Sequence, residues 1–485
     1  MNSQTPIEAG RHDGLPQSLL LAILVLAVAA TLRIAASLGD LWLDEIWTLS
    51  IVAQLSSAVE ILTRLRDENN HILNTWFVYL LGPEQDWLLY RLPSVLAGLG
   101  TVWCAGSIGR RRSDGEGLLA MILTAGSYLL VHYSSEARGY SLVLFFAVLS
   151  FDLFERGSLR PSWKFDLLFA VAVIAGFLSQ AMFVYYYAAV GGWSLWHLLR
   201  PVGSRPQARS AELRRLIRCH ALPILFGGAY YLLFLRHLVN AGGPVYRLED
   251  VVVETLSLTL GGPPAGAFSV AIAIGAVAVF CTGLILLRRQ GDDRWLFYLG
   301  VIVAGPALLM LITRRNEVYV RYFLLAVVFF LLLASQVCCW LWRRGGIWRW
   351  LAAVLVTGVL VGNGVHISRL IEVGRGGYLA ALRYMEEQTI GPTLTLASDH
   401  DFRNGMVIAY YAPFLGGEKP LQYFPAGQWS SPGPEWVLKH EISQNRRPPP
   451  EFRLPDGTTY RLVREYPYAG LSGWSWWIYH RKSAT

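Results

Sequence analysis

Long apolar segments recur along the first three quarters of the chain. Each is close to the roughly 20 residues that a helix needs to cross the hydrocarbon core of a bilayer, and about eleven segments meet this criterion. They lie at 16–38, 91–109, 115–133, 138–155, 165–180, 181–199, 219–238, 267–288, 294–313, 320–342 and 347–367. The fifth and sixth meet at Ser179 and Gln180, where we expect a tight hairpin. The pattern predicts an all-α polytopic membrane protein.

A long loop, 39–90, separates the first two segments and is too polar to cross a membrane. Within it, apolar residues recur at spacings of three and four, with polar residues between them. These apolar positions are Leu49, Val52, Leu55, Val59 and Leu62. The spacing predicts an amphipathic helix that lies flat on the membrane surface.

The last quarter of the chain has the pattern of a small mixed domain. A helical pattern over 378–389 is followed by strand-like alternation, and Pro and Gly residues separate the runs. The alternating runs lie at 393–398, 458–464 and 474–480. We therefore expect a transmembrane domain over 1–367 and a small α/β domain over 368–485.

Basic residues are concentrated in alternate loops. If the N-terminus is cytoplasmic and eleven segments cross the membrane, the inside loops hold most of the basic residues, as the positive-inside rule requires. The clusters are Arg110, Arg111 and Arg112; Arg156, Arg160 and Lys164; Arg205, Arg209, Arg214, Arg215 and Arg218; Arg288, Arg289 and Arg294; and Arg343 and Arg344. The loop 39–90, the segment 239–266 and the C-terminal domain then lie on the extracytoplasmic face.

The composition agrees with a membrane protein, because 54% of the 485 residues are hydrophobic and the mean hydropathy is +0.38. The net charge of +8 is explained by the cytoplasmic loops, so we expect no nucleic-acid partner. None of the five cysteines forms a CxxC pair, which argues against a disulfide framework or a zinc site. Nearly all cations are Arg, a bias typical of GC-rich bacterial genomes, and we expect a bacterial inner membrane.

Asp44 and Glu45 are the first candidate chemical groups. They lie in LWLDEIWTLS, directly after the first apolar segment, where Trp42 and Trp47 indicate the membrane interface. One interpretation makes them helix-capping residues, in which Asp44 accepts amide hydrogen bonds and Glu45 favours the helix dipole. The other makes them functional carboxylates on the extracytoplasmic face.

Further polar residues fall beside the outer ends of the predicted spans. For each there is an alternative structural role, as a loop residue, an interfacial side chain or a surface ion pair. They are Asn70 and His71 in DENNHILNTWF; Arg91 in YRLPS; Glu136, Arg138 and Tyr140 in HYSSEARGYSL; and Arg314, Arg315, Arg321 and Tyr322 in RRNEVYVRY. Arginines on the outer face depart from the positive-inside pattern, which points to an anionic ligand such as a phosphate.

All these clusters share the extracytoplasmic face, whereas the interiors of the spans are almost free of charge. A proton-coupled transporter would be expected to hold carboxylates near the bilayer midplane. The pattern therefore favours chemistry on a membrane-anchored substrate. A sugar on a polyprenyl phosphate fits, because the leaving phosphate needs cationic contacts and the acceptor hydroxyl needs one general base. Direct attack by that hydroxyl inverts the anomeric centre.

Several motifs give the chain a resemblance to a known family: LDE at 43–45, NNH at 69–71 with RLPS at 91–94, SSEARGYSL at 134–142, and VRYFL at 320–324. In this order, between these spans, they resemble the GT-C glycosyltransferases of the family 39/83 type. That group includes the protein O-mannosyltransferases, the aminoarabinose transferase of lipid A and the RgtA/B/C/D-like enzymes. The resemblance covers roughly 16–342 of the chain.

The resemblance implies a GT-C-like membrane fold with an acidic catalytic base in the first outer loop. That role carries to Asp44, with Glu45 as the neighbouring acid of the same motif. It also implies that Arg138 and Arg321 lie near the lipid phosphate. Many relatives have His-Pro-Pro where His71 is followed here by Ile and Leu, so the role of His71 and a possible divalent metal stay open.

We therefore predict an inner-membrane glycosyltransferase that moves a hexosyl or pentosyl group from a polyprenyl-phosphate donor to an extracytoplasmic glycolipid, polysaccharide or protein. Asp44 and Glu45 are the predicted catalytic residues. The predicted substrate-binding residues are Asn70, His71, Arg91, Glu136, Arg138, Tyr140, Arg321 and Tyr322. The alternatives are a lipid-linked glycan transporter or flippase, and a ligase or polymerase of preassembled glycan.

Overall fold

The computed structural model describes most of the chain. The described residues are 17–83, 85–199, 206–239, 242–313, 317–417, 419–426, 428–429, 433–443 and 446–482. Three arginines of the predicted clusters, Arg205, Arg314 and Arg315, lie outside the described residues.

The first half of the chain is built from α-helices. They are α1 (Gln17–Ala36), α2 (Leu43–Val52), α3 (Glu60–Thr63), α4 (Ile72–Leu81), α5 (Trp87–Arg110), α6 (Asp114–Ala125), α7 (Tyr128–Tyr133), α8 (Tyr140–Leu159), α9 (Trp163–Ser179), α10 (Phe183–Leu199) and α11 (Pro206–Leu233). Polar side chains begin two of them, since Asp86 accepts from the Leu88 amide at 2.8 Å and Ser113 from the Glu116 amide at 3.2 Å.

The bundle continues with a second set of helices. They are α12 (Leu248–Thr259), α13 (Ala267–Arg289), α14 (Arg294–Leu299), α15 (Gly305–Thr313), α16 (Leu324–Arg344) and α17 (Gly346–Val373). A π-helical turn, Gly300–Ala304, joins α14 to α15, and a 3-10 turn, Val320–Phe323, leads into α16. Every residue of α16 from Leu324 to Cys338 is buried, so this helix lies at the centre of the bundle.

Each of the eleven predicted segments coincides with helix. Among the described residues, seven helices are long and apolar enough to cross a membrane, and the chain is a multi-pass membrane protein. The number eleven is not confirmed, because the other helices fall short on length or charge. Helices α9 and α10 have 17 residues each, and α6 has 12. Helix α8 carries Asp152, Glu155 and Arg156.

The prediction of one continuous surface helix within the loop 39–90 is wrong. Helix α2 ends at Val52, turns follow, and α3 is a single helical turn. Ser56 and Ser57 lie in the break, and serine disfavours helix interiors because its hydroxyl group can compete for backbone hydrogen bonds. The apolar face of α2 is also not left for a membrane, because Leu43 and Ile46 are buried against the C-terminal domain.

A mixed sheet follows the last long helix. In the described part of this region the strands are β1 (Leu394–Ser398), β2 (Leu421–Phe424), β3 (Trp436–Glu441), β4 (Glu451–Arg453), β5 (Thr459–Tyr466) and β6 (Ser475–Arg481). Their order is β2-β1-β3-β6-β5-β4. Strand β1 is parallel to β2 and β3, and the other neighbouring strands are antiparallel.

Two α-helices, α18 (Tyr378–Gln388) and α19 (Met406–Tyr411), complete the described part of this domain. The predicted helix and the three predicted strand-like runs are confirmed as α18, β1, β5 and β6. Strands β2, β3 and β4 were not predicted, since two of them are only three or four residues long and none shows clean alternation of buried and exposed positions.

Helix α2 lies between the bundle and the sheet domain. Its apolar residues share one buried cluster with α18, α19 and the sheet. The Tyr411 hydroxyl donates to the Leu41 carbonyl at 2.9 Å, and Asp40 accepts from the Leu379 amide at 2.9 Å in the first turn of α18. The C-terminal domain therefore holds the segment that leads into Asp44.

Candidate active site

Asp44 lies in the first turn of α2, where the bundle meets the sheet domain. The Nη1 atom of Arg138 is 2.6 Å from Asp44 Oδ2. Asn69 supports both groups, because its Nδ2 donates to the Asp44 carbonyl oxygen at 2.9 Å and its Oδ1 accepts from Arg138 Nη2 at 2.7 Å. The fold thus brings the acid and the arginine of two distant motifs into direct contact.

Arg138 is held between aromatic rings. Its guanidinium carbon lies 5.6 Å from the ring centroid of Trp42 and 4.9 Å from that of Tyr140, and its side chain is buried. Cation–π contacts and the ion pair with Asp44 fix the position of this side chain. Because an arginine does not deprotonate in proteins, Arg138 places a permanent positive charge beside the carboxylate.

A second guanidinium approaches the same carboxylate. Arg321 Nη1 lies 4.0 Å from Asp44 Oδ2, and the group stacks over Tyr319 at 4.3 Å and Tyr322 at 5.8 Å. The Nε atom of Arg321 is buried and has no hydrogen-bond partner in the described part of the chain. A buried donor without a partner is costly, and a bound anion would satisfy it. Asp44 is therefore the carboxylate that both guanidinium groups approach.

These groups line a cavity of about 190 Å³, which we call the Asp44 cavity. Five of the predicted site residues line it: Asp44, Arg138, Tyr140, Arg321 and Tyr322. The other polar or aromatic lining residues include Trp47, Glu68, Asn69, Gln180 and Glu317, and the apolar wall includes Met182, Leu238, Pro306, Leu309 and Met310. The cavity therefore has a charged end at Asp44 and an apolar wall along α15.

Glu45 does not line the Asp44 cavity. Arg91 binds both of its carboxylate oxygens, at 2.8 Å and 2.6 Å, and the Ala137 amide donates to Oε1 at 2.7 Å. Oε2 also accepts from the Trp42 amide at 3.2 Å, a helix-capping contact. Arg91 donates in addition to three carbonyl groups of the loop 37–40. Both side chains are buried, so the pair ties α2 to the start of α5.

Glu136 also points away from the cavity. Its Oε1 lies 3.1 Å from His132 Nε2 and 3.2 Å from Arg375 Nε. Arg375 donates further to the His132 carbonyl and to Ser135 Oγ, both at 2.9 Å. Burial alone would raise the pKa of Glu136, but the hydrogen bond from His132 and the charge of Arg375 lower it below its usual value. Glu136 therefore anchors the C-terminal domain to the hairpin beside the cavity.

Asn70 and His71 lie behind the cavity wall. Asn70 Nδ2 donates to the Ile61 carbonyl at 2.8 Å, and the His71 ring packs edge-on against Tyr140 with centroids 5.1 Å apart. His71 Nε2 is buried and has no hydrogen-bond partner among the described residues. Burial and the nearby charge of Arg138 lower the pKa of His71 well below its usual value. The imidazole is therefore neutral at pH 7.

The depressed pKa of His71 predicts sensitivity to acid. In the unfolded chain the imidazole titrates near its usual pKa of about 6.5. The stability that neutral His71 provides is complete above that pH and is lost as the pH falls toward the lower pKa of the folded state. His71→Asn should therefore lose less thermal stability than the wild type when the pH is lowered from roughly 7.5 to 5. Thermal unfolding in detergent at both pH values measures this, and equal acid sensitivity of the two proteins would contradict it.

Several residues at the site were not singled out from the sequence. Glu68 directly precedes Asn69 of the NNH motif in the polar run DENN, and this run was the available signal. Gln180 is a polar residue at the junction of two apolar segments, which also could have drawn attention to it. No local signal pointed to Arg375, because its partner Glu136 is 239 residues away in the sequence.

Among the described residues, no group of three or more His, Cys, Asp or Glu side chains is arranged to hold a metal ion. A cation at Asp44 would compete with Arg138, which lies 2.6 Å from Oδ2. The divalent metal raised by the family resemblance stays a prediction.

Solved structures of GT-C glycosyltransferases share the overall fold of this chain. ArnT from Cupriavidus metallidurans in the apo state superposes with a TM-score of 0.54 at 12% identity, over 87% of this chain and 93% of ArnT. ArnT from the same organism bound to undecaprenyl phosphate gives 0.51 at 11% identity, over 95% and 97%. The Archaeoglobus fulgidus oligosaccharyltransferase tethered with an acceptor peptide gives 0.50 at 9% identity, over 83% and 63%.

The chain therefore has the GT-C fold, as the order of its motifs predicted. A scan against protein-family models finds no match. A search of curated proteins finds none either. At identities of 9% to 12% the similarity defines the fold alone, and the chemistry must be inferred from the Asp44 cavity.

Proposed function

We propose that the protein is a membrane glycosyltransferase that transfers a sugar from a polyprenyl-phosphate-linked donor to an extracytoplasmic acceptor, with inversion at the anomeric carbon. One observation carries the proposal: Asp44, Arg138 and Arg321 meet in a single cavity with an apolar wall. A carboxylate, two fixed positive charges and a surface compatible with a lipid are the groups that this reaction requires.

The donor phosphate is proposed to bind at the two arginines. Arg321 has a buried Nε without a partner among the described residues, and Asp44 lies within 4.0 Å of both guanidinium groups. The apolar wall along α15 belongs to a helix long enough to cross a membrane, so a polyprenyl chain can follow it into the bilayer. The ArnT structure that contains undecaprenyl phosphate supports such a ligand for this fold.

The reaction then needs one proton transfer by the protein. Asp44 accepts the proton of the acceptor hydroxyl while the hydroxyl oxygen attacks the anomeric carbon. The bond between that carbon and the phosphate oxygen breaks, and the lipid phosphate leaves with the electron pair. Arg138 and Arg321 stabilise the negative charge of the leaving phosphate. Glu45 and Arg91 contribute by holding α2 in place.

The position of the cavity along the bundle supports an extracytoplasmic site. Helix α5 runs for about 36 Å at 1.5 Å per residue. Arg91 lies in its second turn, at the end near the cavity, and Arg111 follows it at the far end, 2.7 Å from Asp152 and 3.0 Å from Glu155. Because the positive-inside rule assigns the arginine-rich end to the cytoplasm, we place the cavity and the C-terminal domain on the opposite side.

Substitution of Arg321 tests the phosphate site. Arg321→Ala should weaken binding of undecaprenyl phosphate about 10- to 100-fold, because a hydrogen bond to a charged group contributes about 1.5–3 kcal/mol. Arg321→Lys should recover only part of this affinity, since an ammonium group cannot replace a guanidinium that binds through two nitrogens. Native mass spectrometry of the protein in nanodiscs with added lipid measures the affinities.

The matched control is Arg349→Ala, which removes an arginine at the start of α17, away from the cavity. Its affinity for undecaprenyl phosphate should equal that of the wild type. If both alanine variants bind the lipid as tightly as the wild type, the phosphate does not lie at Arg321.

The product distinguishes the proposal from transfer of a preassembled glycan. Purified protein in nanodiscs is incubated with an undecaprenyl-phosphate-linked sugar and with total membrane glycolipid. A single glycosyl increment in the mass of the product supports the proposal. An increment of a whole oligosaccharide would instead indicate a ligase or polymerase, and a lipid that crosses the bilayer without any product would indicate a flippase.

A further inference from the structure

The parallel strands of the C-terminal sheet form a topological switch point that the proposed chemistry does not use. Strand β1 lies between β2 and β3 and is parallel to both. After β1 the chain continues to β2, on one side of β1. After β3 it continues to β4, at the opposite edge of the sheet. Connections that diverge from neighbouring parallel strands open a crevice at their carboxyl ends, which is where open α/β sheets bind ligands.

Polar side chains line this switch-point crevice. Asp399 directly follows β1, and His440 is the next-to-last residue of β3. His440 Nδ1 is 2.9 Å from Asp399 Oδ1, and Arg403 Nη1 is 3.2 Å from His440 Nε2. Since arginine only donates, His440 Nε2 accepts and its Nδ1 carries the proton. The three side chains form a hydrogen-bonded series, and 31% of the Asp399 side chain remains exposed.

Aromatic side chains connect the switch-point crevice to the Asp44 cavity. Phe402, which follows Asp399 by three residues, is 49% exposed and packs edge-on against Trp47 with centroids 5.4 Å apart. Trp47 lines the Asp44 cavity. On another side, the Tyr246 ring contacts Tyr319, which stacks under the guanidinium of Arg321.

The electrostatics of Tyr246 agree with this placement. Burial raises the pKa of Tyr246, while the charges of Arg403 and Arg321 both act to lower it. Tyr246 therefore lies within the field of one arginine from the crevice and one from the cavity. Together with the Phe402–Trp47 contact, this indicates that the side chains of the two sites lie close to each other.

The chemistry of the crevice favours a carbohydrate. Asp399 offsets the charge of Arg403, so the surplus positive charge that a phosphate site needs is not provided by this pair. Sugar hydroxyl groups both donate and accept hydrogen bonds, which matches the alternating donors and acceptors of Asp399, His440 and Arg403. The exposed ring of Phe402 supplies an apolar surface for the carbon-bound hydrogens of a sugar.

We infer that the switch-point crevice binds the saccharide portion of the acceptor and presents its hydroxyl group to Asp44. This inference rests on the proposed transferase function and names the acceptor as a glycan-bearing molecule. It also assigns a role to the C-terminal domain, which contacts the acceptor through Arg403, His440 and Phe402.

Saturation-transfer NMR tests the inference with the full-length protein in nanodiscs. The probes are the methyl glycosides of glucose, galactose, mannose and N-acetylglucosamine, each alone and with inorganic phosphate. At least one glycoside should bind the wild type. Its affinity should fall about tenfold or more in Arg403→Ala, which removes a charged hydrogen-bond donor. Phe402→Ala, a change at a half-exposed residue that does not threaten folding, should lower the affinity as well.

Two further variants separate the possible outcomes. Arg461→Ala, at an exposed position of β5, should bind the glycoside like the wild type. Asp44→Asn should also bind the glycoside, although it should lose transfer activity. If this variant retained transfer, the proposed function would be refuted, but the inference that the crevice binds a saccharide would not. The inference is overturned if no glycoside binds the wild type, if phosphate displaces the bound glycoside, or if neither Arg403→Ala nor Phe402→Ala weakens binding.

Discussion

Asp44→Asn should lower the rate of sugar transfer by about 10²- to 10⁴-fold, the usual contribution of a general base. Asparagine has the same shape as aspartate but cannot accept the proton of the acceptor hydroxyl. Asn69 donates to the main-chain carbonyl of residue 44 and not to its side chain, so the local hydrogen bonding of α2 is kept. Initial rates of the purified variant in nanodiscs, with a saturating lipid-linked donor, give the measurement.

Asp86→Asn is the control for this experiment. Asp86 is an exposed carboxylate in the same long loop, and its role is to cap α5. Asparagine caps helices about as well as aspartate, so this variant should keep wild-type rates. If Asp44→Asn transfers sugar at the rate of Asp86→Asn, Asp44 is not the base.

Arg91→Ala should be the most destabilising single change near the site. It leaves the Glu45 carboxylate buried without its charged partner, and breaking a buried ion pair in this way costs about 3–5 kcal/mol. We expect poor yield and a clearly lower unfolding temperature in detergent. Glu45→Gln combined with Arg91→Met, which removes both charges and keeps volume, should recover part of the loss.

An exposed ion pair of the same loop provides the comparison. Arg64 and Glu60 lie 3.2 Å apart, and the Arg64 side chain is largely exposed. Arg64→Ala should therefore change stability by less than about 1 kcal/mol. A Glu45→Gln variant with wild-type stability and no transfer activity would show instead that Glu45 takes part in the chemistry.

The sequence predicted the helical architecture well because crossing a bilayer imposes a length and a composition on each segment separately. It also predicted five residues that line the Asp44 cavity, since motifs at the outer ends of the spans must share one face. The break between α2 and α3 was not predicted. Their apolar spacing is helical, but the partner that buries α2 lies in the C-terminal domain and is invisible in the local pattern.

The roles of neighbouring residues could not be separated from the sequence either. Asp44 and Glu45 are adjacent, yet one lines the cavity and the other is bound to Arg91 and to the Ala137 amide. Adjacent residues of a helix point in directions about 100° apart, so only the packing decides which of them is free to react. The role of Arg375 could not be predicted for a related reason. Its side chain binds Glu136, which lies 239 residues away in the sequence, so only the tertiary fold brings the two together.

A cryo-EM structure of the protein in nanodiscs with undecaprenyl phosphate would test most directly whether a base and a phosphate site share the Asp44 cavity. We predict the phosphate within hydrogen-bond distance of Arg138 and Arg321, with the polyprenyl chain along α15. A phosphate bound elsewhere, for example beside Arg111 at the other end of the bundle, would contradict the mechanism.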